Sequence, residues 1–187
     1  MLAACGASNA PAPQGETAAQ RAFDDATAPD VTPRDLGALP PGECGTQAFI
    51  AAMGATCKRL DAKAAESSGG APESHAAASD ADACTMWNSG GLAPQFIGID
   101  LGKNTEMSGM LLIPDSTPPE IDAVQRIEVS GDNTPFRPLV DVKAHEITAH
   151  GYAVTFPTKV TARFVRVTTE STRAYVSWRE IAAVTCP

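Results

Sequence analysis

QFIGIDLG, residues 95–102, places Ile97, Ile99 and Leu101 on one side of an extended chain and Gly98 and Asp100 on the other. A period of two, closed by a glycine, is the pattern of a half-buried strand. Downstream the device recurs. AVQRIEVSGDN, residues 123–133, sets Ile127 and Val129 on one side ahead of a Ser-Gly-Asp-Asn turn. GYAVTF (151–156), ARFVRVTT (162–169) and AYVSWREIAAV (174–184) follow, punctuated by Gly, Pro and Thr at the spacing of an all-β sandwich or barrel. No amphipathic helix of useful length interrupts them, which argues against a doubly wound α/β enzyme. Pro114, Pro118, Pro119, Pro135 and Pro138 fall in or beside the connections, where they guard strand edges.

At 187 residues, with 43% hydrophobic and only 5% aromatic residues, the chain has material for one domain and a tail. The formal net charge of -8 and the absence of a Lys/Arg cluster exclude binding through nucleic-acid phosphates. No apolar run approaches the roughly 18 residues of a membrane-spanning helix. Residues 6–41 are rich in Ala, Pro, Asp and Thr and poor in large apolar side chains, so they read as an extended, disordered linker. The boundary is therefore expected at residue 44, with a linker over 1–43 and a folded domain over 44–187.

Ahead of the linker, Leu2, Ala3 and Ala4 precede Cys5. This resembles the lipobox of bacterial lipoproteins, in which the cysteine is lipidated after signal-peptide cleavage. The basic and long apolar parts of such a signal do not precede it here, so the reading implies a truncated signal peptide. With Gly6 next in line, the resemblance implies an outer-membrane or surface-anchored protein whose only membrane contact is the lipid on Cys5. The other four cysteines, Cys44, Cys57, Cys84 and Cys186, show no Cys-x-x-Cys spacing, which favours disulfides over zinc. Their pairing is open among three connectivities.

Ala78, Asp80, Asp82, Thr85 and Trp87, followed by FIGIDLG, IEVSGDN, ARFVRV and VSWREIAAV in that order, resemble the discoidin or coagulation factor V/VIII C-type domain. That family shares a jelly-roll β-sandwich with galactose-binding-like carbohydrate-binding modules, and the resemblance spans about residues 44–186. Two departures stand out: Ala81 occupies a position usually held by glycine, and Cys84 lies inside the loop. With this fold in view, the expected disulfides are Cys44 to Cys186, closing the ends of the domain, and Cys57 to Cys84. By resemblance to metal-binding members, Asp80, Asp82 and Thr85, joined by Glu180, would hold a structural Ca²⁺ with hard oxygen ligands. The alternative is that Asp80 caps its own turn and Glu180 pairs with an arginine. Trp87 is expected in the core. Arg163 and Arg166 are expected in salt bridges, and alternation puts Trp178 on one face with Val176 and Glu180.

Catalytic motifs do not survive inspection. HEITAH, residues 145–150, spaces its histidines five apart, where a zinc protease needs four on a helix. Asp80 and Asp82 are too close in sequence to flank a glycosidic bond from separate walls of a cleft. No nucleophile elbow or phosphate loop is present. The expectation is a non-catalytic module whose loops, at 67–75, 88–94, 131–137 and 170–175, bind a carbohydrate or cell-surface glycan. His75, Asn88, Arg137, Arg173 and Tyr175 are the candidate contacts. A protein-interaction or adhesion domain is the alternative.

Overall fold

Two strands too long for one layer organise the molecule. β6 (Gln95–Pro114) has 20 residues and β9 (His150–Ser171) has 22, against about five or six for an ordinary strand. They pair antiparallel almost throughout, with Gln95 opposite Thr169 and Leu112 opposite Tyr152. Between Asp100 and Thr105 the register shifts. There the pair bends from one layer of a sandwich into the other, the usual role of such irregularities. The structure is a computed structural model describing residues 28–115, 123–144 and 150–187.

The first layer holds the opening half of β6 and the closing half of β9. β4 (Lys63–Ser67) extends it on the β6 side, and β7 (Ala123–Ser130), β8 (Arg137–Ala144) and β1 (Asp30–Val31) on the β9 side. The second layer holds the remaining halves. β10 (Tyr175–Thr185) pairs with β6, β5 (Trp87–Leu92) and β3 (Lys58–Arg59) pair with β10, and β2 (Arg34–Ala38) pairs with β9. Trp87, Ile97, Ile99, Met110, Ile127, Val167, Trp178 and Ile181 fill the space between. This is the all-β sandwich the alternation implied. The helix α1 (Gln47–Met53) covers the second layer from outside, seating Phe49 and Ile50 on Leu111, Ile113, Ala182 and Val184. Gly151 permits that approach, since a Cβ there would lie 2.7 Å from the Phe49 ring.

Four expectations need correction. GYAVTF and ARFVRVTT are one strand, because the segment between them stays paired, Val160 opposite Met107 and Thr161 opposite Glu106. Residues 30–38 are not linker. β1 pairs with β8 and β2 with β9, so the sandwich includes residues 30–38 and the domain boundary does not fall at 44. Edge strands need backbone partners more than apolar side chains, which is why composition missed them.

The disulfides are Cys44–Cys84 and Cys57–Cys186, not Cys44–Cys186 and Cys57–Cys84. A bridge between Gly45 and Asp82, with Ala83 N–H donating to Cys44 O at 2.7 Å, lays residue 44 beside residue 84. Pairing of Lys58 with Thr185 lays Cys57 beside Cys186. Finally, the ladder shifts between Trp178 and Glu180. Trp178 joins the inter-layer core while Glu180 turns to the opposite face with Ala182 and Val184. Cys5, Pro118, Pro119 and most of HEITAH lie outside the described residues. His150, the last of that motif, has its Nδ1 at 3.1 Å from Asp35 Oδ2.

Candidate ligand-binding site

Strand registers decide which loops share an end of the sandwich. Leu92 lies opposite Tyr175, Gln95 opposite Thr169, and Val124 opposite Ser171. Residues 67–75 join this end, because Ser68 N–H donates to Phe96 O at 3.0 Å and Trp87 Nε1–H donates to Gly69 O at 3.1 Å. The loop 131–137 does not. Ser130 opposite Phe164 and Arg137 opposite Val129 put it at the far end, so Arg137 is separated from the other four candidates. Spacing in sequence gave no means of seeing which end a loop occupies.

At the shared end, β5 alternates Trp87 inward, Asn88 outward, Ser89 inward and Gly90 outward, with Leu92 outward again. Tyr175 stands beside Leu92, and they are 53% and 54% exposed, two of only three large apolar side chains so exposed among the described residues. Gly90, at φ 74, has nothing within 4 Å of where a Cβ would be. Asn88, Leu92 and Tyr175 thus share one outward face, with no side chain at Gly90, and this exposed face is the candidate seat. Asn88 Oδ1 accepts from Gly90 N–H at 2.8 Å. Arg173 lies exposed in the turn two residues before Tyr175. His75 is half-buried in the 3₁₀ helix Pro72–Ala78, with its Nε2 at 2.7 Å from Ser67 Oγ.

Gln95, which the sequence did not mark, clamps this end together. Its Oε1 accepts from Ser68 Oγ, and its Nε2 donates to Leu92 O at 3.1 Å. A polar residue opening a strand carries no signal of its own. Chemically, the seat offers one aromatic face, an apolar neighbour and a carboxamide, which suits stacking and hydrogen bonding to a neutral polar ligand.

The four oxygen-bearing residues considered for calcium do not fit that ion in this arrangement. Glu180 is fully buried, and its Oε1 accepts from Arg59 Nη2 at 3.0 Å and Nε at 3.3 Å. Its Oε2 accepts from Ala81 N–H at 3.0 Å. Arg59 Nη2 also donates to Ser79 O at 2.6 Å, so a guanidinium stands among the oxygens a cation would need. Asp80 Oδ1 accepts from Asp82 N–H at 2.9 Å and its Oδ2 from Thr85 Oγ1 at 2.8 Å. Asp82 Oδ1 accepts from Cys84 N–H at 2.9 Å. Among the described residues one Cys/Asp cluster with metal-like spacing appears, Cys44, Asp82 and Cys84, but its sulfurs are joined to each other. Ala81 does take the left-handed backbone, φ 68, that glycine would adopt freely.

Burial pushes the Glu180 carboxyl up to about 7, against the pull of Arg59 and the Ala81 N–H. Arg163 is bidentate to Asp100 at 2.8 Å and reaches Asp132 at 2.7 Å. Its guanidinium holds the Asp100 carboxyl below the usual range. Arg166 is bidentate to Glu128 at 2.8 and 2.9 Å. Both arginines therefore serve the first layer as ion pairs.

Residues 61–181, most of the sandwich, match the F5/8 type C domain model. The chain belongs to that family. As an F5/8 type C domain it superposes on the family 32 carbohydrate-binding module of Clostridium perfringens NanJ, solved with galactose. The TM-score is 0.58 at 16% identity, covering 68% of this chain and 98% of that one. A second module, CpGH89CBM32-5 of the same organism, solved with GalNAc-β-1,3-galactose, gives 0.59 at 19% identity, covering 69% and 100%. A pectin-binding module gives 0.54 at 23% identity, covering 68% and 91%. At such identities the likeness establishes the fold of this F5/8 type C domain. No curated protein matches the chain.

Proposed function

We propose that this F5/8 type C domain is a non-catalytic module that binds a carbohydrate at the seat formed by Asn88, Gly90, Leu92 and Tyr175. The observation that carries this reading is the pairing of two exposed apolar side chains, Tyr175 and Leu92, beside a glycine that leaves room for a ring. Sugars present a C–H face and a fringe of hydroxyls. The Tyr175 ring suits the first and Asn88 the second. Covering about 50 Å² of the ring contributes roughly 1.3 kcal/mol, so single sugars bind weakly and clustered glycans by avidity. Relatives of this fold solved with galactose and with GalNAc-β-1,3-galactose support the substrate class.

Placement at the cell envelope or outside it accords with two disulfides, which persist in oxidising compartments. Anchoring through a lipid on Cys5 rests on the LAAC sequence alone. A glycan array probed with the full chain tests the reading. Binding to a defined set of neutral glycans supports it, and a blank array with capture of a single protein partner replaces it with an adhesion domain.

A further inference from the structure

A concave surface lies away from the seat, on the solvent face of the first layer. It is a cleft of about 330 Å³, within the range of small-ligand sites. Its floor is Gly98 on β6 and its walls include Glu66 on β4, Phe164 on β9, and Asn133, Thr134 and Phe136 from the connection between β7 and β8. A Cβ at position 98 would meet Glu66 Cγ at 3.1 Å and Val165 O at 3.3 Å. Glycine thus keeps the floor open and lets Glu66 lie across it.

The walls are held before any ligand arrives. Gly131 N–H donates to Thr134 Oγ1 at 2.8 Å, and Arg163 grips Asp132 at 2.7 Å. The Arg166 guanidinium stacks on Phe136 at 4.3 Å and on Phe96 at 5.1 Å. A site so fixed loses little entropy on binding. Glu66, its side chain 43% exposed, is the charged group of the wall. Its Oε1 is buried without a hydrogen bond, so the rest of the carboxylate is what a ligand can reach. Among the described residues the cation beside it is Arg166, whose Nη1 is 3.9 Å away while that arginine is committed to Glu128.

We infer that this cleft is a second saccharide seat, taking one pyranose of neutral or amino-sugar type. Its C–H face lies on Phe164 and its hydroxyl or ammonium donors meet the Glu66 carboxylate and Asn133. An ionised carboxylate only accepts hydrogen bonds, so Glu66 selects donors and repels uronate sugars. The domain is then bivalent, able to bridge two chains or two positions on one glycan. This rests on the saccharide reading of the module but on different residues from the loop-end seat.

Amide NMR shifts of the full chain, titrated separately with galactose, glucosamine and galacturonate to about 10 mM, test it, since millimolar sites fill in that range. The expected result is movement at Gly98, Gly131, Asn133 and Phe136 with the first two sugars and not the third. That movement persists in Tyr175→Ala. Asn133→Gly suits the left-handed backbone at φ 58, so it keeps the fold, and it weakens the cleft about fivefold while leaving shifts at Leu92 and Tyr175 unchanged. Cleft shifts without loop-end shifts support this inference and overturn the loop-end seat. Silent cleft amides, equal response to galacturonate, or cleft shifts abolished by Tyr175→Ala overturn the inference.

Discussion

Replacing Arg59 with methionine removes the cation paired with a fully buried Glu180 while keeping most of the side-chain volume. Breaking a buried pair by deleting one partner costs about 3–5 kcal/mol. Arg59 is itself 19% exposed, so the lower end applies, about 3 kcal/mol. For a domain of this size that lowers the melting temperature by roughly 6–12 °C. The deficit depends on pH with a defined sign. Glu180 sits at about 7 in the fold against an ordinary value of 4.5, raised by burial and opposed by Arg59. A carboxyl raised on folding adds stability that is complete below its unfolded value and lost as pH rises through its folded value.

Without Arg59 the folded value climbs further, so the variant is worst near pH 8 and recovers near pH 5, where Glu180 accepts a proton. Thermal unfolding of both proteins at the two pH values reads this directly. An equal deficit at both, or one below about 1 kcal/mol, refutes the claim that Arg59 neutralises Glu180. Adding calcium to chelator-treated wild type leaves its melting temperature unchanged. A ligand of the folded state must raise it, so a rise would show that an ion, and not the guanidinium, serves this loop.

Other outcomes follow from the same contacts. Peptide mapping without reduction yields Cys44 linked to Cys84 and Cys57 linked to Cys186; any peptide joining Cys44 to Cys186 contradicts the register of β3 on β10. Serine at both Cys57 and Cys186, which lie 129 residues apart, costs about 4–5 kcal/mol in denaturant unfolding by loop-closure entropy, and a loss under about 1 kcal/mol contradicts the link. Deleting residues 1–38 destabilises the domain by roughly 2 kcal/mol more than deleting 1–27, since Leu36 leaves the α1 cluster and Arg34 its bond to Ala52 O. Equal stability of the two truncations would return 28–38 to the status of a linker.

The layers were legible because their faces alternate. Ile97, Ile99, Ile127 and Val129 announced the core, and the order of short motifs named the family. What the sequence hid depends on events that leave no pattern in composition. The shift of the ladder between Trp178 and Glu180 reverses the faces on either side of it, so simple alternation grouped two residues that point apart. β1 and β2 are held by backbone pairing at sheet edges, and the Asp in them with the Thr and Pro between them read as linker. The disulfides were assigned by closing the ends of the domain, whereas short ladders decide which cysteines meet. Among the site residues, Asn88 and Tyr175 come together because β5 pairs with β10, Arg137 departs because β7 leads its loop to the far end, and Arg59 went unnoticed because a lone arginine in a two-residue strand carries no motif.

The central claim is that Tyr175 and its neighbours hold a sugar. Calorimetric titration of a glycan that scores on the array, into wild type and into Tyr175→Ala, tests it most directly. Loss of about 1.3 kcal/mol of stacking predicts roughly tenfold weaker binding in the variant, with the melting temperature unchanged because the ring is half exposed. Binding equal in both proteins, or no heat with any neutral saccharide at millimolar concentration, contradicts it.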